Sequence, residues 1–164
     1  MAITKAKKAE IFENLGTIAK GEGSRVFVNF HGLSVTDTTA VRRGLKSEGV
    51  SYLVAKKTIA SKAFSESGIS GELPTLTGEL AIAYGEDLLA PAREVYKFQK
   101  TFKGKVSILG GVFEKRFVDA EEMVTIASIP SRHVLYAQFV NLINSPIQRF
   151  AVVLDQIANA KEAA

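Results

Sequence analysis

The residues best equipped for chemistry in this chain are cations. Arg42, Arg43 and Lys46 fall within five positions of one another, and Lys56 and Lys57 follow a short apolar run. Such groups are charged throughout the neutral range and suit phosphates: Arg grips two oxygens at once, and Lys acts as a point charge. Residues 26–64 hold six Lys/Arg against two acidic side chains, with the charge at element ends and on helix flanks. Residues 1–62 carry 11 Lys/Arg against 5 Asp/Glu, a balance of +6, while residues 63–164 carry 10 against 12. A basic first third with a near-neutral remainder is the footprint of a polyanion bound at one end. The plainer reading is a solvated charged surface.

Other chemistries lack their residues. His31 and His133 are too far apart in the chain to make a recognisable ligand pair or triad half. Glu86-Asp87 and Glu121-Glu122 are sequence neighbours, about 100° apart on a helix, and fit helix starts better than acid/base work. No cysteine occurs, so disulfides, thiolate zinc sites and a Cys nucleophile are excluded. Neither phosphate-loop pattern is present, and Gly110-Gly111 reads as a strand bulge. The expectation is no catalysis, no cofactor and no metal site. MAITKAKKAEIFENL has no sustained apolar run, and no window approaches the ~20 apolar residues of a membrane span. A soluble intracellular protein is expected. With 164 residues, 46% of them apolar, the chain is one domain plus at most an appendage.

The cations need elements to hold them. Thr4 can cap a helix to about Lys20 that turns Ile11, Leu15 and Ile18 inward and carries Lys5, Lys7 and Lys8 in its first turns. Lysines there oppose the helix dipole, a cost easier to understand if an anion sits nearby. Arg25–Phe30 reads as a strand. Ser34 or Thr36 starts a helix to about Glu48, ended by Gly49, with Thr38, Val41 and Leu45 inward and Arg42, Arg43 and Lys46 on its flank. Tyr52–Ala55 is a short strand, and Lys56 and Lys57 open a helix to about Ser67 that buries Ile59, Ala63 and Phe64. Strand Glu79–Tyr84, helix Leu88–Phe102 with Pro91 in its first turn, and strand Val106–Phe113 follow. Asp119 with Glu122 makes a capping box for a helix to about Ala127.

Without the first helix the order is β-α-β-(α)-β-α-β. That is the α+β, ferredoxin-like split βαβ pattern, with an extra N-terminal helix and one inserted helix. A doubly wound parallel sheet competes, since strands also alternate with helices. After Pro130 two helices are expected, Ser131–Asn144 and Pro146–Lys161, split at Asn144-Ser145-Pro146. In the second, Ile147, Phe150, Ala151, Leu154, Ile157 and Ala158 share one stripe, with Val153 on its shoulder and Val152 opposite. No strand follows to receive that face, and a helix of ~15 residues is marginal alone. It either folds back on the domain or is an arm that another protein covers. The expected division is 1–129 and 130–164.

Certain motifs, taken in order, resemble a known family. FHGLSV (Phe30–Val35), VRRGLKSEGVSY (Val41–Tyr52) and VAKKTIASKAF (Val54–Phe64) are similar to the bacterial ribosomal stalk-base family, the tenth protein of the large subunit. TGELAIAYGED (Thr77–Asp87), KVSILGGVFE (Lys105–Glu114), IASIPSRHVLYAQFV (Ile126–Val140) and the closing NAKEAA continue the likeness along essentially the whole chain. The resemblance implies an N-terminal domain on large-subunit ribosomal RNA, beside a neighbouring stalk-base ribosomal protein. It implies a C-terminal helical arm binding dimers of the acidic stalk protein, which recruit translational GTPases. Cytoplasmic placement on the large subunit, with no membrane partner, goes with it. It also favours the arm over a folded-back helix.

Carried onto this chain, the family's basic positions are Arg42, Arg43, Lys46, Lys56 and Lys57. The chain departs from the pattern twice: His31 stands where the family commonly has Arg, and Lys57 where it commonly has Asn. Histidine is a weaker and pH-sensitive phosphate ligand. Lys5, Lys7 and Lys8 join the expected RNA-binding set from the dipole argument. Ile147, Phe150, Ala151, Leu154 and Ile157 form the expected partner-binding set. The alternative function is a non-ribosomal RNA-binding or small-ligand regulatory module on the same kind of sheet.

Overall fold

A computed structural model describes residues 5–102 and 104–162, without the side chains of Lys5, Ala6 and Glu162. Thr4, the expected first cap, lies outside the described residues. The elements run α1 (Lys5–Lys20), β1 (Arg25–Phe30), α2 (Val35–Ser47), β2 (Ser51–Val54), α3 (Lys57–Ser65), β3 (Leu80–Tyr84), α4 (Ala90–Thr101), β4 (Val106–Phe113), β5 (Arg116–Asp119), α5 (Ala120–Ala127) and α6 (Arg132–Glu162). The chain divides into two compact units, Met1–Ile129 and Pro130–Ala164.

The strands of the first unit form one five-stranded sheet in the order β2-β3-β1-β4-β5, with every neighbouring pair antiparallel. The fold class is therefore α+β, and the parallel doubly wound alternative is excluded. Alternation buries both faces. Val26, Val28, Ala81 and Ala83 pack under α2, α4 and α5 with Val41, Leu45, Val95 and Met123. Phe27, Leu80 and Ile82 pack under α1 and α3 with Leu15, Ala60 and Phe64. Phe27 meets Phe64 edge-on at 5.0 Å between ring centroids, the arrangement their quadrupoles prefer.

The expected bulge is present in β4. Phe27 lies opposite Gly110 but Val28 opposite Ile108, so Leu109 is an extra residue. That insertion moves everything after it to the other face. Ile108 joins the α2/α4/α5 layer, whereas Val112 joins the α1/α3 layer. Gly110 has φ 134°, and a Cβ there would sit 2.6 Å from the Val118 carbonyl oxygen. Only glycine fits.

Local signals account for the α2 boundaries. The Ser34 hydroxyl accepts the Asp37 N–H at 3.1 Å, and Gly49 follows the helix at φ 72°. Three expectations need correction. Strand β5 is absent from the expected elements; it turns back from β4 through Glu114 and Lys115 at φ 49° and 60°, without the Asn-Gly or Asp-Gly signal that marks such turns. The capping box does not form: Asp119 sits at the cap of α5 but makes no side-chain cap bond, and Glu122 pairs with Arg116 instead. Finally, the two C-terminal helices are one, of 31 residues, with Pro146 inside it. The Leu142 carbonyl loses its usual donor there, at a cost of about 3 kcal/mol, and Ser145 does not start a new helix.

Two charges are buried in the first unit. Arg25 donates from Nε to the Ile18 carbonyl at 2.7 Å and from Nη1 to the Gly23 carbonyl at 2.6 Å. It thus satisfies one carbonyl in the last turn of α1, where a cation is favoured, and one in the loop beyond it, while burial lowers its pKa. Glu94 accepts from Lys97 at 2.7 Å and from Arg93 at 3.3 Å. Both groups are structural.

Candidate nucleic-acid and partner interfaces

Sheet direction decides where the cations meet. β1 and β2 are each antiparallel to β3, so they run the same way and end at the same end of the sheet. His31 leaves β1 there, its N–H donating to the Lys105 carbonyl at 2.8 Å. Ala55 donates to the Leu80 carbonyl at 3.1 Å, and Lys56 and Lys57 follow it into α3. The early part of α1 comes to the same place, because Lys8 and Phe12 share a groove of about 410 Å³ with Lys56, Ile59 and Lys62. A second groove, of about 500 Å³, lies between α3 and the segment 73–76, with Lys57 and Lys62 above Leu73, Pro74 and Leu76. Lys7 is exposed on α1; the Lys5 side chain is outside the described residues.

Arg42, Arg43 and Lys46 are exposed on α2, the layer on the opposite side of the sheet. The expected basic residues therefore form two sets rather than one face. What joins the sets is β2, the open edge strand. Arg42 lies 5.9 Å from the centroid of the Tyr52 ring on β2, and Lys56 and Lys57 leave its end. Burial pushes the Tyr52 phenol up to about 12, with the Arg42 charge pulling the other way, so the ring stays neutral beside the guanidinium. The other sheet edge is closed: the Phe117 N–H donates to the Ser70 carbonyl at 2.9 Å.

Among the described residues, none of Lys7, Lys8, Arg42, Arg43, Lys46, Lys56, Lys57 and Lys62 has a carboxylate within ion-pair distance, in contrast to Arg93, Lys97, Lys105 and Arg116. The opposite end of the sheet is acidic. Glu22, Glu48, Glu86 and Asp87 surround a cleft of about 850 Å³ there. A polyanion would thus meet attraction at one end and repulsion at the other. Lys62 is not among the expected RNA-binding residues, although it lies inside the VAKKTIASKAF motif. Its spacing from Lys57 acquires meaning only with the two grooves in view.

No described residue of α6 is buried, and Phe139, Ile143, Ile147, Phe150, Leu154 and Ile157 are all exposed. At 100° per residue they follow one stripe that runs through Pro146 without a break. Ala151 lies at its margin, and Val152 lies away from it. The expected partner set is thus the second half of a longer stripe; Phe139 and Ile143 extend it backwards. The same periodicity carried the signal, but the assumed break at Pro146 hid it. Among the described residues, no cluster could hold a metal ion, and no helix is long and apolar enough to cross a membrane.

Two family descriptions match the chain. Ribosomal protein L10 matches residues 3–100, and the ribosomal protein uL10 C-terminal region matches residues 129–164. The chain is 36% identical over 163 residues to a large ribosomal subunit protein uL10 from Albidiferax ferrireducens, covering 99% of this chain and 91% of that one. It is 34% identical over 161 residues to the uL10 protein of Delftia acidovorans, covering 98% and 91%. With the uL10 protein of Staphylococcus carnosus the identity is 33% over 161 residues, covering 98% and 96%.

Proposed function

This chain belongs to the ribosomal protein L10 (uL10) family, and from that premise we propose that it forms the base of the large-subunit stalk. It is a structural ribosomal protein of the large subunit and not an enzyme. In the proposed reading, residues 1–129 bind large-subunit ribosomal RNA beside a neighbouring stalk-base protein. Residues 130–164 bind dimers of the acidic stalk protein, through which GTP-bound translation factors are recruited in the cytoplasm. The observation that carries the reading is the 31-residue helix with one continuous apolar stripe and no described residue buried. Six large apolar side chains, at roughly 1.5–3 kcal/mol each on burial, are a large reserve for a partner to cover.

RNA binding draws support from exposed cations at one end of the sheet and along its β2 edge that, among the described residues, have no carboxylate partner. Lys8, Lys56 and Lys57 approach from one side, and Arg42, Arg43 and Lys46 from the other, with His31 at the strand end and Lys5 and Lys7 at the start of α1. Contacts of this kind hold phosphates and shape, since the deep groove of A-form RNA admits side chains poorly. The strand order β2-β3-β1-β4 with crossovers α2 and α4 supports a ferredoxin-like core enlarged by α1, α3 and the β5–α5 extension. Co-sedimentation with large ribosomal subunits tests the whole reading. The protein is expected to stay with subunits at low salt and to carry the acidic stalk protein with it; failure to sediment with subunits at any salt would overturn it.

A further inference from the structure

We propose that the two grooves beside α3 hold unpaired nucleotides of the RNA, with bases on their apolar floors and the linking phosphate at the Lys62 ridge between them. This rests on the RNA-binding reading above and goes beyond it, from a charged face to a place for single-stranded RNA. Each groove combines an apolar floor with a cationic rim. Phe12 and Ile59 floor the first, between Lys8 and Lys56. Leu73, Pro74 and Leu76 floor the second, beside Lys57. Thr58 and Lys62 line both, so they form the ridge across which a dinucleotide would step.

Volume and charge fit that occupant. Spaces of about 410 and 500 Å³ lie within the range of small-molecule sites, roughly 300–1,000 Å³. Successive bases on apolar platforms, with a positive groove tracking the backbone, are how unpaired strands are held. A paired helix would not reach these floors, because its bases face inward. An acidic peptide would match the charge, but the floors are two short basins parted by a cationic ridge rather than one continuous apolar groove. The open strand edge that would add a peptide strand, β2, lines neither basin.

The test compares two RNAs of equal length with the full chain at one salt concentration: a hairpin whose unpaired loop carries 2-aminopurine, and a fully paired duplex. The hairpin is expected to bind roughly tenfold tighter, as one stacked base would supply, with a change in loop fluorescence. In the double variant Lys57→Ala, Lys62→Ala, both surface positions, that preference should vanish while duplex binding falls only a few-fold. A 4-thiouridine in the loop should crosslink to residues 56–62 or 73–76. Equal binding of both RNAs, with crosslinks elsewhere, would overturn the groove assignment and leave RNA binding standing. Binding of neither RNA would overturn the RNA reading itself. Displacement of neither RNA by a Glu/Leu peptide that nonetheless crosslinks to the grooves would assign them to a protein instead.

Discussion

Phe27 and Phe150 are the same residue type put to opposite uses. Phe27 is fully buried against Phe64, and Phe150 is 66% exposed. The contrast extends to the whole of the two units. In residues 1–129 the central strands β1 and β3 have both faces covered by helices, so apolar surface there is used to hold the chain together. In α6 a comparable run of Phe, Ile and Leu is exposed. Hydrophobicity alone does not separate these roles. What separates them is whether the face is covered.

Truncation should give the largest effect on this comparison. Ending the chain at Pro130 is expected to abolish binding of acidic stalk-protein dimers while leaving RNA affinity within a few-fold. Ending it at Asn144 should leave residual dimer binding, because Phe139 and Ile143 remain. Pull-down with the acidic protein and an RNA titration measure the two losses; equal loss of both activities would join the units that the comparison separates.

Next come the two phenylalanines. Phe27→Ala should cost about 3–5 kcal/mol of stability in denaturant unfolding, from lost burial plus a cavity. Phe150→Ala should change stability by less than about 0.5 kcal/mol, as surface substitutions do, and yet weaken dimer capture at least tenfold. A large stability loss from Phe150→Ala would show that its surface is already used within the protein.

Charge gives a smaller effect. The log–log dependence of RNA affinity on salt should have a slope of several units, and removing two phosphate contacts should lower it by about 1–2. Arg42→Ala with Arg43→Ala, and Lys56→Ala with Lys57→Ala, should each do so if both sides of β2 touch RNA. If only one pair changes the slope, the other set is a solvated surface.

The smallest expected effect is at Tyr52. The folded chain keeps the phenol proton up to about 12, whereas an unfolded tyrosine releases it near 10. Its contribution to stability is thus complete below pH 10 and is lost as pH rises toward 12. Thermal melts across that window should show the decline, and Tyr52→Phe should flatten it. No change with the variant would mean that other groups govern alkaline unfolding.

Much of the fold is legible in short stretches of sequence. Ser34 and Gly49 bracket α2 because a hydroxyl cap and a left-handed stop act within a few residues. The Val26/Phe27/Val28 alternation marks a strand covered on both sides. Strand β5 escapes notice because its turn uses Glu114 and Lys115, residues that rarely adopt positive φ. The α5 box fails because Glu122 has a competing partner, Arg116, supplied by that unforeseen strand. Pro146 misleads in the other direction: a proline is a strong local stop, but one lost backbone bond in a long helix is a bounded cost. Of the candidate sites, the types and numbers of the cations were readable, and so was half of the apolar stripe.

From residue order alone came the local elements, the basic first third, the family motifs and the apolar period after Pro130. These depend on neighbours at most a few positions apart, or on motif content that needs no coordinates. The tertiary structure alone decided that Lys8, Lys56, Lys57 and Lys62 gather at one end of the sheet, that Arg42, Arg43 and Lys46 lie across it, and that the far end is acidic. Strand order and direction set those distances, and both arise from pairings between segments tens of residues apart. The uninterrupted stripe of α6 is likewise visible only in the structure, but for a different reason: the helix as a whole absorbs the one proline that local rules would treat as its end.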